Sequence, residues 1–301
     1  MRTALMQARP NFFSGPYLER RAEEREDPRW IEAARADPAT RYLVARGSTQ
    51  LLSSGESPHI AFLDNAGAAT MADAPRVLLG WYQDARCVLI DLPADAAPAT
   101  PPGTAFLELR PLTAVLTAAE AGLLAYARGL SIWRARQRFC GVCAAPTLPT
   151  HAGHCLRCTN PACAHEFFPR LDPAIIVLVS DGERALLGRQ KDWPARRYST
   201  IAGFVEPGES LEDAVVREVQ EETGVDVGAV RYHSSQPWPF PSSLMVGFEA
   251  RAAAGSPVRV SGELEDARWF TRAQVTSGEA LAPPTQSISW RLIEGWLQGG
   301  G

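Results

Sequence analysis

The stretch GFVEPGESLEDAVVREVQEETGV, residues 203–225, holds seven acids and a single base, Arg217. Ser210 followed by Asp213 has the pattern of a capping box, and Gly224 stands where a left-handed residue ends a helix. The spacing predicts one helix over 210–223, entered from the glycine-bearing loop 203–208. On that helix Ala214, Val215 and Val219 face a core. Glu218, Glu221 and Glu222 fall at i, i+3 and i+4, so their side chains gather on one face. Carboxylates packed this closely repel unless positive charge sits among them, and hard divalent cations such as Mg²⁺ take oxygen ligands. A solvated helix face is the alternative. It predicts lysines interleaved with the acids, and from Glu206 to Glu222 there is only Arg217.

The order of residues sharpens this. Gly203, five residues, Glu209, seven residues, Arg217-Glu218-Val219, one residue, Glu221-Glu222, one residue, Gly224-Val225 matches every fixed position of GX(5)EX(7)REUXEEXGU, with U apolar. The segment therefore resembles the Nudix box. The resemblance implies a loop–helix–loop on an α/β/α sandwich, with Glu218, Glu221 and Glu222 holding two or more Mg²⁺ or Mn²⁺ ions. The same three are the catalytic candidates, Glu222 or its neighbours polarising or deprotonating the attacking water. Arg217 would pair with Glu209, and Gly203 and Gly224 would shape the loop ends. The implied chemistry is hydrolysis of a diphosphate joined to another moiety. Cations bridging a pyrophosphate screen its charge, lower the pKa of bound water and stabilise the leaving phosphate. Outside the box, SGELEDARWF (261–270) offers Glu263 and Glu265. By order Glu263 is the better candidate to complete the metal shell, an exposed loop acid being the other reading.

Five of the six cysteines, Cys140, Cys143, Cys155, Cys158 and Cys163, fall within 24 residues, and Cys87 stands alone. No run approaches 18 apolar residues, MRTALMQARPNFFSGPYLER has charges and a proline where a leader needs an apolar stretch, and QGGG is no peroxisomal address. These features predict a cytoplasmic chain with reduced thiols and no membrane partner. In that setting a cysteine cluster reads as metal binding, not a disulfide frame. FCGVC is one C-x2-C knuckle. The second half is ambiguous, because Cys155-x2-Cys158 and Cys158-x4-Cys163 both occur. Four thiolates suit one structural Zn²⁺ with every position closed. Cys140, Cys143, Cys158 and Cys163, followed by AHEFFP, resemble the zinc ribbon that precedes the Nudix domain in NADH pyrophosphatases. That resemblance leaves Cys155 as the spare thiol and makes the ribbon an architectural clip. His151, His154 and His165 lie nearby; a histidine ligand is the alternative and surface histidine the default reading, and Cys87 is read as a buried apolar thiol.

Along the rest of the chain, RVLLGWY (76–82) and CVLIDL (87–92) read as strands and PADAAPATPPGT (93–104) as a loop. Residues 117–137 have helical spacing with Thr117 as N-cap and Glu120 at N3. AIIVLVS (174–180) and RALLGRQ (184–190) read as strands joined by the turn DGE. The expected organisation, α+β followed by α/β, is an N-terminal NADH-pyrophosphatase-like α+β domain at 1–135, a zinc ribbon at 136–169 and a Nudix α/β/α sandwich at 170–301.

Substrate choice falls to SQPWPFPSSLM (235–245). Its three alternating prolines restrict the backbone, so Trp238 and Phe240 would be presented for stacking on a planar heterocycle at little ordering cost. A proline-stiffened loop whose rings plug a core is the alternative. SQPWPFPxS resembles the signature that separates NADH pyrophosphatases from other Nudix hydrolases. The resemblance implies NAD(H) as substrate, cleaved to nicotinamide mononucleotide and AMP, with Gln236, Trp238 and Ser243 as nicotinamide mononucleotide contacts. Phe204 and Phe168 would be ring-packing partners, Phe168 standing where some relatives have tyrosine. It also implies a homodimer in which a small residue near the C-terminal helix closes the partner's pocket, Ser289 being the counterpart here. Bacterial relatives accept NAD at the 5′ end of RNA, which makes NAD-capped RNA a further candidate substrate. RARQR (134–138) is a small basic cluster that would help RNA approach, or simply an exposed helix end. The net charge of −4 gives no general pull toward nucleic acid. The rivals are a Nudix hydrolase of another nucleoside diphosphate derivative such as ADP-ribose, and a non-catalytic zinc-ribbon nucleic-acid-binding protein.

Overall fold

The computed structural model describes residues 10–299. Residues 1–9 of the stretch read for a leader, and the last two glycines of QGGG, lie outside the described residues. The chain forms two compact units. One takes 13–170 with 239–242, and the other takes 10–12, 171–238 and 243–299 among the described residues. The cysteine segment thus falls in the same unit as the N-terminal strands. No helix among the described residues is long and apolar enough to cross a membrane.

In the first unit the chain runs α1 (Trp30–Ala36), β1 (Arg41–Arg46), β2 (Thr49–Ser53), α2 (Asn65–Ala69), β3 (Arg76–Tyr82), β4 (Ala85–Leu92), β5 (Thr104–Glu108) and α3 (Ala118–Arg136). The strands form one sheet in the order β3-β4-β1-β2-β5, with β1 and β4 parallel. Tyr42, Val44, Leu51, Leu78, Val88 and Ile90 fill its core. Helix α3 begins where Thr117 accepts the Glu120 N–H at 3.3 Å. Cys87 is fully buried in β4, and burial pushes its thiol up to about 12. The ribbon adds β6 (Thr147–Thr150), β7 (Cys155–Cys158) and β8 (Glu166–Phe167), paired in that order.

The second unit comprises β9 (Asp172–Ser180), β10 (Arg184–Gln190), β11 (Ile201–Phe204), α4 (Leu211–Thr223), β12 (Val227–Trp238), β13 (Ser243–Ala252), β14 (Leu264–Thr271), α5 (Arg272–Thr276) and α6 (Ile288–Leu297). Its sheet runs β12-β13-β9-β10-β14, with β11 also on β9 and with β13 parallel to β9. The central strand shows why both faces are covered. Ile175, Val177 and Val179 pack with Ala214, Val215 and Val219 of α4. The alternate residues Ile176 and Leu178 pack with Ile288, Leu292, Ile293 and Trp296 of α6. A strand's period of two sends successive side chains to opposite faces, so an unbroken apolar run needs a helix on each. The result is an α/β/α sandwich.

One local expectation changes. SQPWPFPSSLM is not a loop throughout: Gln236, Pro237 and Trp238 complete β12 and pair with Met245, Leu244 and Ser243. Only 239–242 turns. β12 is an edge strand, where a proline's missing N–H need not break a ladder on the open side.

Candidate active site and metal centre

The acidic segment folds as a short strand, a loop and α4. Ser210 accepts the Asp213 N–H at 3.1 Å while Asp213 accepts the Ser210 N–H at 3.1 Å, a reciprocal cap. Gly224 closes the helix with φ +66°, its N–H reaching Gln220 O at 2.8 Å. Gly203 has a different reason to be glycine: a Cβ there would overlap the carboxyl group of Glu218, which lies directly over the β11 backbone. Arg217 is the hub. Its Nε and Nη2 donate to the two carboxylate oxygens of Glu209 at 3.0 and 2.6 Å, and Nη2 also reaches Phe204 O at 3.0 Å. Nη1 reaches Glu218 at 2.9 Å and Glu221 at 3.2 Å. The guanidinium holds the Glu209 carboxyl down to about 2.

Glu222 is set apart. It is only 9% exposed, and no hydrogen bond to Arg217 reaches it. Burial, then the charges of Glu218, Glu263 and Glu221, push its carboxyl up to about 7. The segment carrying Glu263 is tied to the end of α4: Arg259 N–H donates to Thr223 O at 2.8 Å, Ser261 N–H to Glu222 O at 3.1 Å, and the Ser261 hydroxyl to Glu221 O. That docking brings the exposed Glu263 to face Glu222. Glu265 is turned away, in an ion pair with Arg189. The four glutamates do not converge as tightly as the four cysteines do, because Glu218 and Glu221 lean on Arg217. As a donor set they fit Mg²⁺ or Mn²⁺, since all are hard oxygens and one of them is destabilised as an anion by the others.

The second constellation is sharper. The Sγ atoms of Cys140, Cys143, Cys158 and Cys163 all lie within 4.8 Å of one another, with Cys140–Cys163 at 3.8 Å and Cys143–Cys158 at 3.4 Å. A tetrahedron with Zn–S near 2.3 Å has edges of about 3.8 Å, so the tetrad fits that ion. Each pair sits on a tight turn. Ala144 N–H closes the first on Cys140 O at 2.9 Å, and Cys163 and Ala164 N–H close the second on Asn160 O at 3.0 and 2.8 Å. The Ala145 N–H draws the Cys143 thiol down to about 7, whereas burial pushes Cys158 up to about 12, so the four cannot all ionise without a cation. Cys155 is buried outside the tetrad. The histidines do not join it either, and His154 is not a surface residue. It is 8% exposed and its Nε2–H donates to Leu78 O at 2.7 Å.

The residues expected to select substrate divide. Phe204 and Phe168 are 61% and 54% exposed, far more than aromatic rings ordinarily are. Trp238 is half-buried beside the buried Ser243, its partner across β12 and β13. Two more of these residues are buried and hydrogen-bonded within the chain. Gln236 is fully buried and bonded within its own unit: Nε2 donates to Phe12 O at 3.1 Å and Gln286 O at 2.8 Å, and Oε1 accepts the Ile288 N–H at 2.8 Å. It caps the N-terminus of α6. Ser289 is 3% exposed, its hydroxyl shared with Ser199 at 2.8 Å and with Thr200 N–H at 3.1 Å. Its hydroxyl is thus engaged within its own unit. In RARQR, Arg134 is likewise held by Asp91 at 3.1 Å.

Sequence reasoning passed over Arg128. It interrupts the apolar run LLAYARGL on α3, is 8% exposed, and donates through Nε to Pro239 O at 2.8 Å. A lone arginine on a buried helical stripe was the available signal.

The family model for the NUDIX domain matches residues 170–293, that for the NADH pyrophosphatase-like rudimentary NUDIX domain 39–133, and that for the NADH pyrophosphatase zinc ribbon domain 135–168. The chain is 39% identical to the NAD-capped RNA hydrolase NudC of Mycobacterium bovis, across 89% of this chain and 87% of that protein. It is 43% identical to the NAD-capped RNA hydrolase NUDT12 of Macaca fascicularis across 66% of this chain, and the match spans 45% of that longer protein. A solved NUDIX hydrolase from Nitrosomonas europaea overlays 54% of this chain and 91% of its own, at 19% identity and a TM-score of 0.43.

Proposed function

The chain belongs to the NADH pyrophosphatase branch of the Nudix hydrolases, and we propose that it adds water across the pyrophosphate of NAD(H), giving nicotinamide mononucleotide and AMP. NAD joined to the 5′ end of RNA would be cleaved at the same bond, releasing nicotinamide mononucleotide and leaving a 5′-monophosphate. The observation that carries this reading is the carboxylate face of α4, with Glu263 opposite Glu222, on a chain that also holds the SQPWPFP hairpin.

Glu218, Glu221, Glu222 and Glu263 would hold the divalent cations, two or more Mg²⁺ or Mn²⁺. When bound, these ions screen the pyrophosphate charge and acidify water. Glu222, the most buried of the four, would accept the proton of the attacking water or polarise it through a bound cation. Arg217 anchors Glu209 and the loop that leads into α4. Within the Nudix unit the exposed ring of Phe204 and the half-buried Trp238 supply flat apolar surface for nicotinamide or adenine, and the resemblance adds Phe168. Zinc in the cysteine tetrad would be structural. The same resemblance supports a cytoplasmic homodimer, which light scattering and cell fractionation test.

Incubation with Mg²⁺ or Mn²⁺ and equal amounts of NADH, NAD⁺, ADP-ribose and NAD-capped RNA tests the reading. Nicotinamide mononucleotide should appear from the first, second and fourth. If ADP-ribose turned over fastest, the substrate assignment would fall. RNA binding with no hydrolysis under either metal would favour the binding-module rival.

A further inference from the structure

We propose that Ser261 is a positioning residue for Glu263: by closing the C-terminal end of α4 it holds that carboxylate opposite Glu222, and so sets how tightly the carboxylate face takes a divalent cation. The proposal rests on the reading above that Glu263 joins the cation site.

A helix ends in four carbonyls with no partner inside it. In α4 these belong to Gln220, Glu221, Glu222 and Thr223. Gly224 N–H takes the first at 2.8 Å. Residues 259–261 take the other three: Arg259 N–H donates to Thr223 O at 2.8 Å, Ser261 N–H to Glu222 O at 3.1 Å and the Ser261 hydroxyl to Glu221 O. Ser261 thus closes two of the four, and both belong to residues of the carboxylate face.

Glu263 follows two positions later. Gly262, between them, has φ +69°, a turn that glycine adopts without the clash a Cβ would bring. Leu264 then opens β14, pairs with Gln190 of β10 and packs on the core of the sheet. Glu263 is therefore strung between two anchors, Ser261 on α4 and Leu264 on the sheet. Its own side chain adds no third. Glu218 and Glu221 pair with Arg217, and Glu265 pairs with Arg189, whereas the exposed Glu263 has no ion pair among the described residues. What fixes its carboxylate is the backbone on either side, and the upstream half of that backbone hangs on Ser261.

The hydroxyl is the part that sequence can change. The N–H groups of 259 and 261 come with almost any residue, but Glu221 O needs a side-chain donor. Because Ser261 is exposed, water replaces a lost hydroxyl at little cost in stability. What goes is the tether, and a ligand set off its geometry by a fraction of an ångström binds its ion less well.

The test is a double-mutant cycle on Mn²⁺ binding to the full chain with no substrate present, read by calorimetry and by electron paramagnetic resonance of the free ion. Ser261→Ala should weaken Mn²⁺ binding roughly tenfold, the scale for residues that orient a metal ligand. Ser261→Thr keeps the hydroxyl and should recover most of the loss. Glu263→Gln should weaken binding at least as much as Ser261→Ala, and the two together no more than Glu263→Gln alone, because the tether then holds no ligand. Parental Mn²⁺ binding by Glu263→Gln refutes the reading of Glu263 as a ligand, and the proposal with it. If Glu263→Gln weakens binding while Ser261→Ala does not, or if the two losses add, the positioning role alone is refuted. Should Ser261→Ala fail to fold, Ser261→Cys, close in size and a weaker donor, decides by the same comparisons.

Discussion

At the scale of single residues, the site is governed by close approach and by burial. Gly203 lets the Glu218 carboxyl sit on the β11 backbone, and no other residue leaves that space. Gly203→Ala should therefore displace Glu218, costing about 1–3 kcal/mol of stability and lowering metal-dependent turnover at least roughly tenfold. A melting curve and a rate on NADH check both, and a variant with parental activity would show that Glu218 can move freely. His154 offers a prediction in pH. Burial holds its ring down to about 4, well below the usual 6.5. The unfolded chain then takes up a proton near 6.5 that the folded chain refuses until about 4. Stability is full above 6.5 and is lost as pH falls through that window, by up to about 3 kcal/mol. His154→Gln keeps a donor for Leu78 O and cannot titrate. Urea midpoints at pH 7.5 and 5 should therefore fall further for the parent than for this variant. Equal falls would mean that His154 does not titrate as its burial dictates.

At the scale of elements, legibility follows how local the forces are. α4 was readable to its ends because Ser210, Asp213 and Gly224 act within one turn of the helix they bound. The strands at 76–82 and 184–190 were readable because their apolar runs are bounded by turn residues. The grouping of Glu218, Glu221 and Glu222 follows from helical spacing alone, whereas Glu263 reaches Glu222 through backbone bonds from residues 259 and 261 to α4. The burial of Gln236 and Ser289 was not legible for the opposite reason. Their partners, Ile288 and Gln286 for the one and Ser199 and Thr200 for the other, lie 50 to 90 positions away, and no spacing rule reports a hydrogen bond at that range. The strand at 236–238 was not legible, because proline density hides a strand that an edge position tolerates. Where the signal is local, its removal should have a local cost. Ser210→Ala leaves the Asp213 N–H without its cap and should cost about 1 kcal/mol, seen as a fall of roughly 2–4 °C in Tm. Mg²⁺ on Glu218, Glu221 and Glu222 should raise the Tm of parent and variant alike, and a parent Tm that Mg²⁺ leaves unmoved would argue against a cation site on this helix.

At the scale of the whole molecule, the cysteine tetrad is tied into more than its own loops. Ala152 belongs to the core of the first unit's sheet, beside Leu78 and Val88. His154 bonds to Leu78 O in β3, and Arg134 at the end of α3 reaches both Asp91 and Gly153 O, at 3.1 and 3.4 Å. The ribbon hairpin therefore covers part of the β3 edge, beside the backbone pairing of Glu19 with Trp81. Four thiolates crowded within 4.8 Å lose that arrangement without a cation, because mutual repulsion and burial drive them to protonate and spread. Chelation should thus loosen the N-terminal sheet along with the ribbon. A loss of about 3 kcal/mol would lower the Tm of a unit this size by roughly 10 °C. Zinc content measures the first step, with one equivalent expected per chain and none after Cys143→Ser with chelator. Hydrogen exchange measures the second: amides of β3, from 76 to 82, should lose protection together with those of β7. If β7 opened while β3 stayed as protected as in the zinc-loaded chain, the ribbon would be an appendage, and its contacts through Ala152 and His154 would add nothing to the sheet they cover.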